Sequence, residues 1–256
     1  MITKEQISSF ARRFKTNEST VYREYLQILF LNKLYKNKKS SQVFFKGGTA
    51  IHLLFGASRF SEDLDFTVTA SEKEFLSLMN QIFKEFVKEG EFSFKERKTI
   101  AGKRLLLTAN RDVLPYATFI NLDFSFREKV IQPSKSTFDT EYPIIFTSFM
   151  YHLSREEICA EKIRALLTRK KGRDLFDLWF LISQGVLINN DLVKEKLNYY
   201  KIKDFTNKEL LNSIKKISGK EFETDMRPFV PIGERSKLME RFEYIQAYLI
   251  NKLAIL

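Results

Sequence analysis

The amino-acid sequence predicts an α+β protein: a small mixed β-sheet flanked by N-terminal helices and followed by a C-terminal helical domain. Three observations predict it. Apolar residues recur at helical spacing through residues 1–40, short alternating runs separated by turn residues fill the stretch from 43 to 126, and the pattern returns to helix after Pro143. The corresponding division is 1–40 for helices packing on the core, 41–146 for the mixed core and 147–256 for the helical domain. Ile7, Phe10 and Phe14 mark a first helix, and Val21, Tyr25, Ile28, Leu31 and Leu34 a second, with Asn17, Ser19 and Thr20 as cap candidates between them. Val43 to Phe45 reads as a short buried strand, Gly47-Gly48 as a turn, Thr49 to Phe55 as a helix and Leu64 to Val68 as an alternating strand. Ser71 with Glu74 forms a capping-box pattern for a helix through Glu89. Residues 92–98 and 104–109 form a hairpin around Ala101 and Gly102, and Thr118 to Phe126 alternates again. Ser154 with Glu157 opens the helical half with a second capping box.

Composition narrows the class. The chain has 256 residues with 43 Lys plus Arg against 32 Asp plus Glu, a net charge of +11. It has no apolar run near the ~18–20 residues of a membrane span. A single cysteine, Cys159, excludes an intramolecular disulfide, and charges run through the first thirty residues where a secretion signal would be apolar. The expectation is a cytoplasmic protein with no membrane partner. The positive balance favours a polyanionic partner, because cations that neutralise phosphates release counterions. Nine residues of 256 are glycine, about half the usual ~7%. A chain so poor in glycine that places Gly47 and Gly48 side by side needs backbone freedom there.

The run Lys46-Gly47-Gly48-Thr49, followed by Asp63-Leu64-Asp65-Phe66, carries the most chemistry. Strand side chains alternate faces, so Asp63 and Asp65 point one way while Leu64 and Phe66 point into the core. Two carboxylates at that spacing repel unless a cation lies between them, which suits a hard divalent ion, Mg²⁺ or Mn²⁺. Asp123 sits in the strand Phe119-Ile120-Asn121-Leu122-Asp123-Phe124, on the face shared by Asn121 and Ser125. If the two strands are neighbours, three carboxylates converge in a cluster able to hold metal ions that clamp a triphosphate. The Gly47-Gly48 turn before a helix adds backbone N–H donors for phosphate oxygens.

This layout resembles the polymerase-β-like nucleotidyltransferases. More closely, the runs KGGTAIHLLFGASRFSEDLDF and EEICAEKIRALLTRKKGRDLFDLWFL resemble the AbiEii/AbiGii family, toxins of type IV toxin–antitoxin and abortive-infection systems. The resemblance implies a nucleoside triphosphate as donor, Mg²⁺ as cofactor, RNA such as tRNA as acceptor, and a separate antitoxin that forms no stable complex. It also assigns residues. Gly48 and Thr49 match the phosphate-binding turn, with Gly47 and Lys46 beside it; Asp63 and Asp65 match the metal-binding D-x-D; Asp123 fits the third carboxylate, the general base. Lys162 matches the lysine of an E-K-x-x-A segment, and Arg173 and Asp177 match an R-x-x-x-D motif with Asp174 between them. Lys162 and Asp177 are then catalytic, and Arg173 and Asp174 contact the nucleotide.

The helical motif has physical content of its own. Lys162, Arg164, Arg169, Lys170, Lys171 and Arg173 lie within 162–173 with no acidic residue among them, a positive field for a triphosphate or RNA backbone. Arg173 and Asp177 are spaced to pair on one helix face. Two other readings stand beside the enzyme: a degenerate nucleotidyltransferase that binds nucleotide or RNA without turnover, and a DNA-binding regulator using the N-terminal helices. His52 and His152, a hundred residues apart, make no zinc site, and Cys159 reads as a core thiol. Tyr199 and Tyr200, near Lys201 and Lys203, read as loop packing rather than as base-stacking residues.

Overall fold

Phe45, Phe66 and Phe124 stand side by side on three adjacent strands, with ring centroids 5.5 and 4.9 Å apart, and they form the centre of the core. All three are fully buried, each contributing about 1.5–3 kcal/mol by leaving water. The computed structural model describes residues 1–99, 102–111, 113–202 and 206–254. Ala101 of the expected hairpin and Lys203 lie outside the described residues. The chain divides into two units, one of residues 1–56 and 60–153, the other of 57–59 and 154–256.

The first unit begins with α1 (Lys4–Arg13) and α2 (Glu18–Lys36), capped by Thr3 and Asn17. Strand β1 (Val43–Lys46) runs directly into α3 (Gly47–Phe55), and β2 (Leu64–Val68) precedes α4 (Glu72–Glu89). The hairpin strands are β3 (Phe92–Arg97) and β4 (Lys103–Ala109), followed by β5 (Thr118–Ser125), β6 (Pro133–Ser136) and β7 (Met150–Leu153). Among the described residues these form one mixed sheet in the order β3-β4-β5-β2-β1-β7-β6, in which β2 pairs β5 and β1 pairs β7 in parallel. Helices α2 and α4 cover one face through Phe30 on Phe66, Phe75 on Phe124 and Phe83 on Phe94. The capping box of Ser71 and Glu74 is present as the sequence predicts.

Two features differ from the sequence reading. The glycine pair is a strand-to-helix junction, since both glycines already lie in the first turn of α3. Residues 150–153, read from the sequence as part of a helical domain starting at 147, join the sheet beside β1 as β7, and the helices begin at the Ser154 cap.

The second unit holds α5 (Arg155–Arg169), α6 (Gly172–Ser183), α7 (Asn190–Asn198), α8 (Asn207–Lys215), α9 (Gly219–Met226) and α10 (Leu238–Ala254). Its core includes Ile158, Ile163, Leu166, Leu175, Phe176, Leu181, Phe222 and Leu249, all buried. Ser154 caps α5 by accepting the Glu157 N–H at 3.1 Å. The Glu157 carboxylate pairs with the buried Lys196, which also meets Glu161. No helix among the described residues is long and apolar enough to cross a membrane.

Candidate active site

Register brings four charged residues into one row. Lys46 on β1 lies opposite Asp65 on β2, Asp65 beside Asp123 on β5, and Asp123 opposite Arg104 on β4. Partners in register share a face of the sheet, so two carboxylates stand between two cations. Asp63, two residues before Asp65, accepts a hydrogen bond from Asn121 Nδ2 at 2.9 Å. The sequence-predicted Asp63, Asp65 and Asp123 are thus gathered on the sheet face opposite the phenylalanine core.

Arg104 is the residue that sequence reasoning missed. Its guanidinium meets Asp123 in a bidentate pair, Nε to Oδ1 at 2.5 Å and Nη2 to Oδ2 at 3.0 Å. The hydrogen bonds it donates to Asp123 hold the guanidinium above its usual range, and the charges of Asp63 and Asp65 add to the shift. One cation therefore shares the field of all three carboxylates. Among the described residues no three acidic, histidine or cysteine side chains are drawn closely enough to enclose a metal ion. The donor chemistry nonetheless suits a hard ion: Asp63 and Asp65 offer only carboxylate oxygens on one face, with Asp123 in register but held by Arg104.

Gly47 explains why this turn takes glycine. Its φ is +77°, and a Cβ there would come within 2.4 Å of Asp65 Oδ2. The start of α3, with the N–H groups that a helix N-terminus leaves without intrahelical partners, is consequently pressed against the Asp65 carboxylate. Gly48 follows in the first turn of α3, and the buried Thr49 hydroxyl donates to the Asp63 carbonyl, tying the helix to the D-x-D segment. Lys46 is buried with its ammonium 2.5 Å from Glu128.

The second unit holds the other motif as a buried ion cluster. Asp177 is 0% exposed and is gripped by Arg59 through Nε at 2.6 Å and Nη2 at 2.5 Å. Lys162 reaches Asp177 at 2.7 Å and Asp174 at 3.1 Å, and Arg169 completes the set by pairing with Asp174. Burial pushes the Asp177 carboxyl up, but Arg59 and Lys162 outweigh it and hold it below the usual carboxylate range. For Lys162 burial pulls down, and the two aspartates win and hold the ammonium above its usual value. The expected pairing of Arg173 with Asp177 gives way to this arrangement: Arg173 lies over the Phe229 ring at 4.6 Å. Arg169, Lys170 and Lys171 are the exposed part of the basic run, where α5 ends and α6 begins.

The remaining candidates have structural partners. His52 Nε2 meets Glu24 at 2.8 Å, and His152 Nε2 meets Ser136 Oγ at 2.8 Å. Burial pushes the Cys159 thiol up to about 12, as for an inert core thiol. Helix α2 is enclosed, with Lys36 its one exposed residue, so it has no face to lay in a DNA groove.

The family model described as the nucleotidyl transferase AbiEii toxin of a type IV TA system matches residues 29–247. No curated protein matches the chain. Among solved structures, the fold is similar to MenT4, a nucleotidyltransferase toxin of Mycobacterium tuberculosis H37Rv, with a TM-score of 0.66 at 17% identity over 100% of this chain and 99% of that one. It is also similar to JHP933 from Helicobacter pylori, with a TM-score of 0.57 at 19% identity, covering 93% of this chain and 94% of that one. With the family model spanning most of its length and both signature runs in place, the chain belongs to the AbiEii family of nucleotidyltransferase toxins of type IV toxin–antitoxin systems.

Proposed function

We propose that the protein transfers a nucleotide from a nucleoside triphosphate to a hydroxyl of an RNA acceptor, tRNA being the leading class, and thereby arrests growth. The observation that carries this reading is the in-register pair Asp65 and Asp123, with Asp63 on the same face and Gly47 pressed against Asp65. The triphosphate lies at the start of α3, where free N–H groups and the helix dipole favour phosphate oxygens. Asp63 and Asp65 would hold Mg²⁺ or Mn²⁺, which when bound neutralises phosphate charge and makes the attacking hydroxyl more acidic. The acceptor oxygen attacks the α-phosphorus, and a new O–P bond forms. The bond from that phosphorus to the oxygen bridging to the β-phosphate breaks, and its electron pair leaves with pyrophosphate. Asp123 receives the hydroxyl proton. The burial of Lys162, Asp174 and Asp177 in one ion cluster favours positioning roles for these residues, with Arg173 left at its edge.

In a cell this activity would serve a type IV system or phage defence by abortive infection, countered by a separate antitoxin that forms no stable complex with the toxin. The protein incubated with each labelled triphosphate, Mg²⁺ and total RNA should label RNA. Asp63→Ala should lose transfer and growth inhibition while its thermal unfolding is unchanged. A fully toxic Asp63→Ala variant would reject the metal assignment, and triphosphate binding without any turnover would favour the degenerate binder instead.

A further inference from the structure

The face of the sheet that carries the carboxylates continues past them onto β4 and β3. Arg97 lies directly opposite Arg104, extending the row to Lys46, Asp65, Asp123, Arg104 and Arg97 across five strands. Like charges directly across an antiparallel pair are destabilising; Asp123 already matches Arg104, and Arg97 beyond it faces solvent, open to an anion. The next row on the same face sets Lys95 opposite Leu106 and Leu106 opposite Asn121; the one after sets Ser93 opposite Thr108 and Thr108 opposite Phe119. Lys95 and Arg97 are exposed, and among the described residues neither forms an ion pair. Phe119 is 48% exposed although it sits within a strand. Helix α4 occupies the other face, through Phe92 and Phe94.

We propose that this open face of β3, β4 and β5 binds the acceptor strand as single-stranded RNA, with Lys95 and Arg97 on its phosphates and Phe119 stacking on a base. The proposal rests on the nucleotidyl-transfer reading above. Direction argues for the acceptor over the donor. Gly47 and the start of α3 lie at the β1 side of Asp65, whereas Arg104 and Arg97 lie at the far side of Asp123. In-line displacement requires the attacking oxygen and the departing pyrophosphate on opposite sides of the phosphorus. With the triphosphate at α3, the acceptor approaches from β4. A row of cations with an exposed aromatic on an open sheet is also how single strands are held without sequence readout: charge follows the backbone and the ring takes any base.

The test is fluorescence anisotropy with a labelled single-stranded RNA oligomer and, separately, a fluorescent triphosphate analogue. The double variant Lys95→Glu with Arg97→Glu should weaken RNA binding by at least tenfold and lower the slope of log affinity against log salt by about 1.4, two phosphate contacts at ~0.7 each. Its triphosphate affinity should stay within about twofold of wild type. Phe119→Ala should weaken RNA binding by about 5- to 100-fold, the loss of one stacked base. A control of equal charge change, Lys38→Glu with Lys39→Glu, both exposed and before β1, should bind RNA as wild type does. Wild-type RNA affinity in both the β3 variant and Phe119→Ala would overturn the proposal, as would equal losses in the β3 and control variants. A loss of triphosphate affinity as large as that of RNA in the β3 variant would assign Lys95 and Arg97 to the donor and overturn the proposal. If wild type itself binds no RNA and transfers to none, the underlying function fails, an outcome distinct from the others.

Discussion

Gly47 shows how much of the site depends on one absent atom. A side chain there must adopt φ of +77° and place its Cβ 2.4 Å from Asp65 Oδ2. Gly47→Ala should therefore cost about 1–2 kcal/mol in denaturant unfolding from the left-handed backbone alone, and displace Asp65 enough to slow transfer by about 10²-fold. Unchanged transfer would mean that Asp65 has no fixed place in the chemistry. At this scale the sequence was informative where local rules suffice. Alternation alone put Asp63 and Asp65 on one face, and put Asp123 on the open side of its strand. Arg104 and Arg97 were invisible because their meaning depends on which residue lies across the sheet, and register is a property of the assembled strands. Arg59 stood inside a signature run, but its partner is 118 residues away.

At the scale of elements, the joint between α5 and α6 is held by charge buried beside leucine, isoleucine and phenylalanine. Removing one partner of such a cluster leaves an uncompensated ion, so Asp177→Ala should destabilise the protein by about 3–5 kcal/mol in denaturant unfolding. The pH dependence follows from the direction of the shifts. Asp177 and Asp174 both have folded carboxyls held below their unfolded values, against a burial effect that acts the other way. Their stabilisation is complete above the unfolded value near 4 and is lost as pH falls through the folded values. Wild type should lose stability below about pH 4, and Asp177→Asn should show a shallower acid limb. An identical acid limb would place the loss elsewhere. The i,i+4 rule pointed to Arg173 for Asp177, and the long-range pair with Arg59 prevailed because that arginine meets both carboxylate oxygens away from water. Strands β6 and β7 escaped the sequence reading for different reasons. Pro133-Ser-Lys-Ser is polar, as a sheet edge tolerates, and Met150 to Leu153 is too short to show alternation.

Across the whole molecule, the excess of +11 is uneven, with nine basic and three acidic residues in 1–40 alone. Part of that charge is internally matched: Arg13 pairs with Glu141, Arg23 with Glu62 and Lys33 with Glu89. The charge that bears on chemistry is instead the row across the sheet, where cations flank carboxylates from β1 to β3. Net charge in the sequence indicated a polyanion but not its place, because place came from strand order. The central claim is that these carboxylates move a nucleotidyl group, and one measurement addresses it directly. Parallel reactions with the same triphosphate labelled at the α- or the γ-phosphate, with Mg²⁺ and RNA, separate nucleotidyl from phosphoryl transfer. With wild type, α-label should enter RNA and γ-label should leave as pyrophosphate; with Asp63→Ala, neither should occur. Label from the γ-phosphate appearing in RNA, or α-label transferred equally by Asp63→Ala, would contradict that claim.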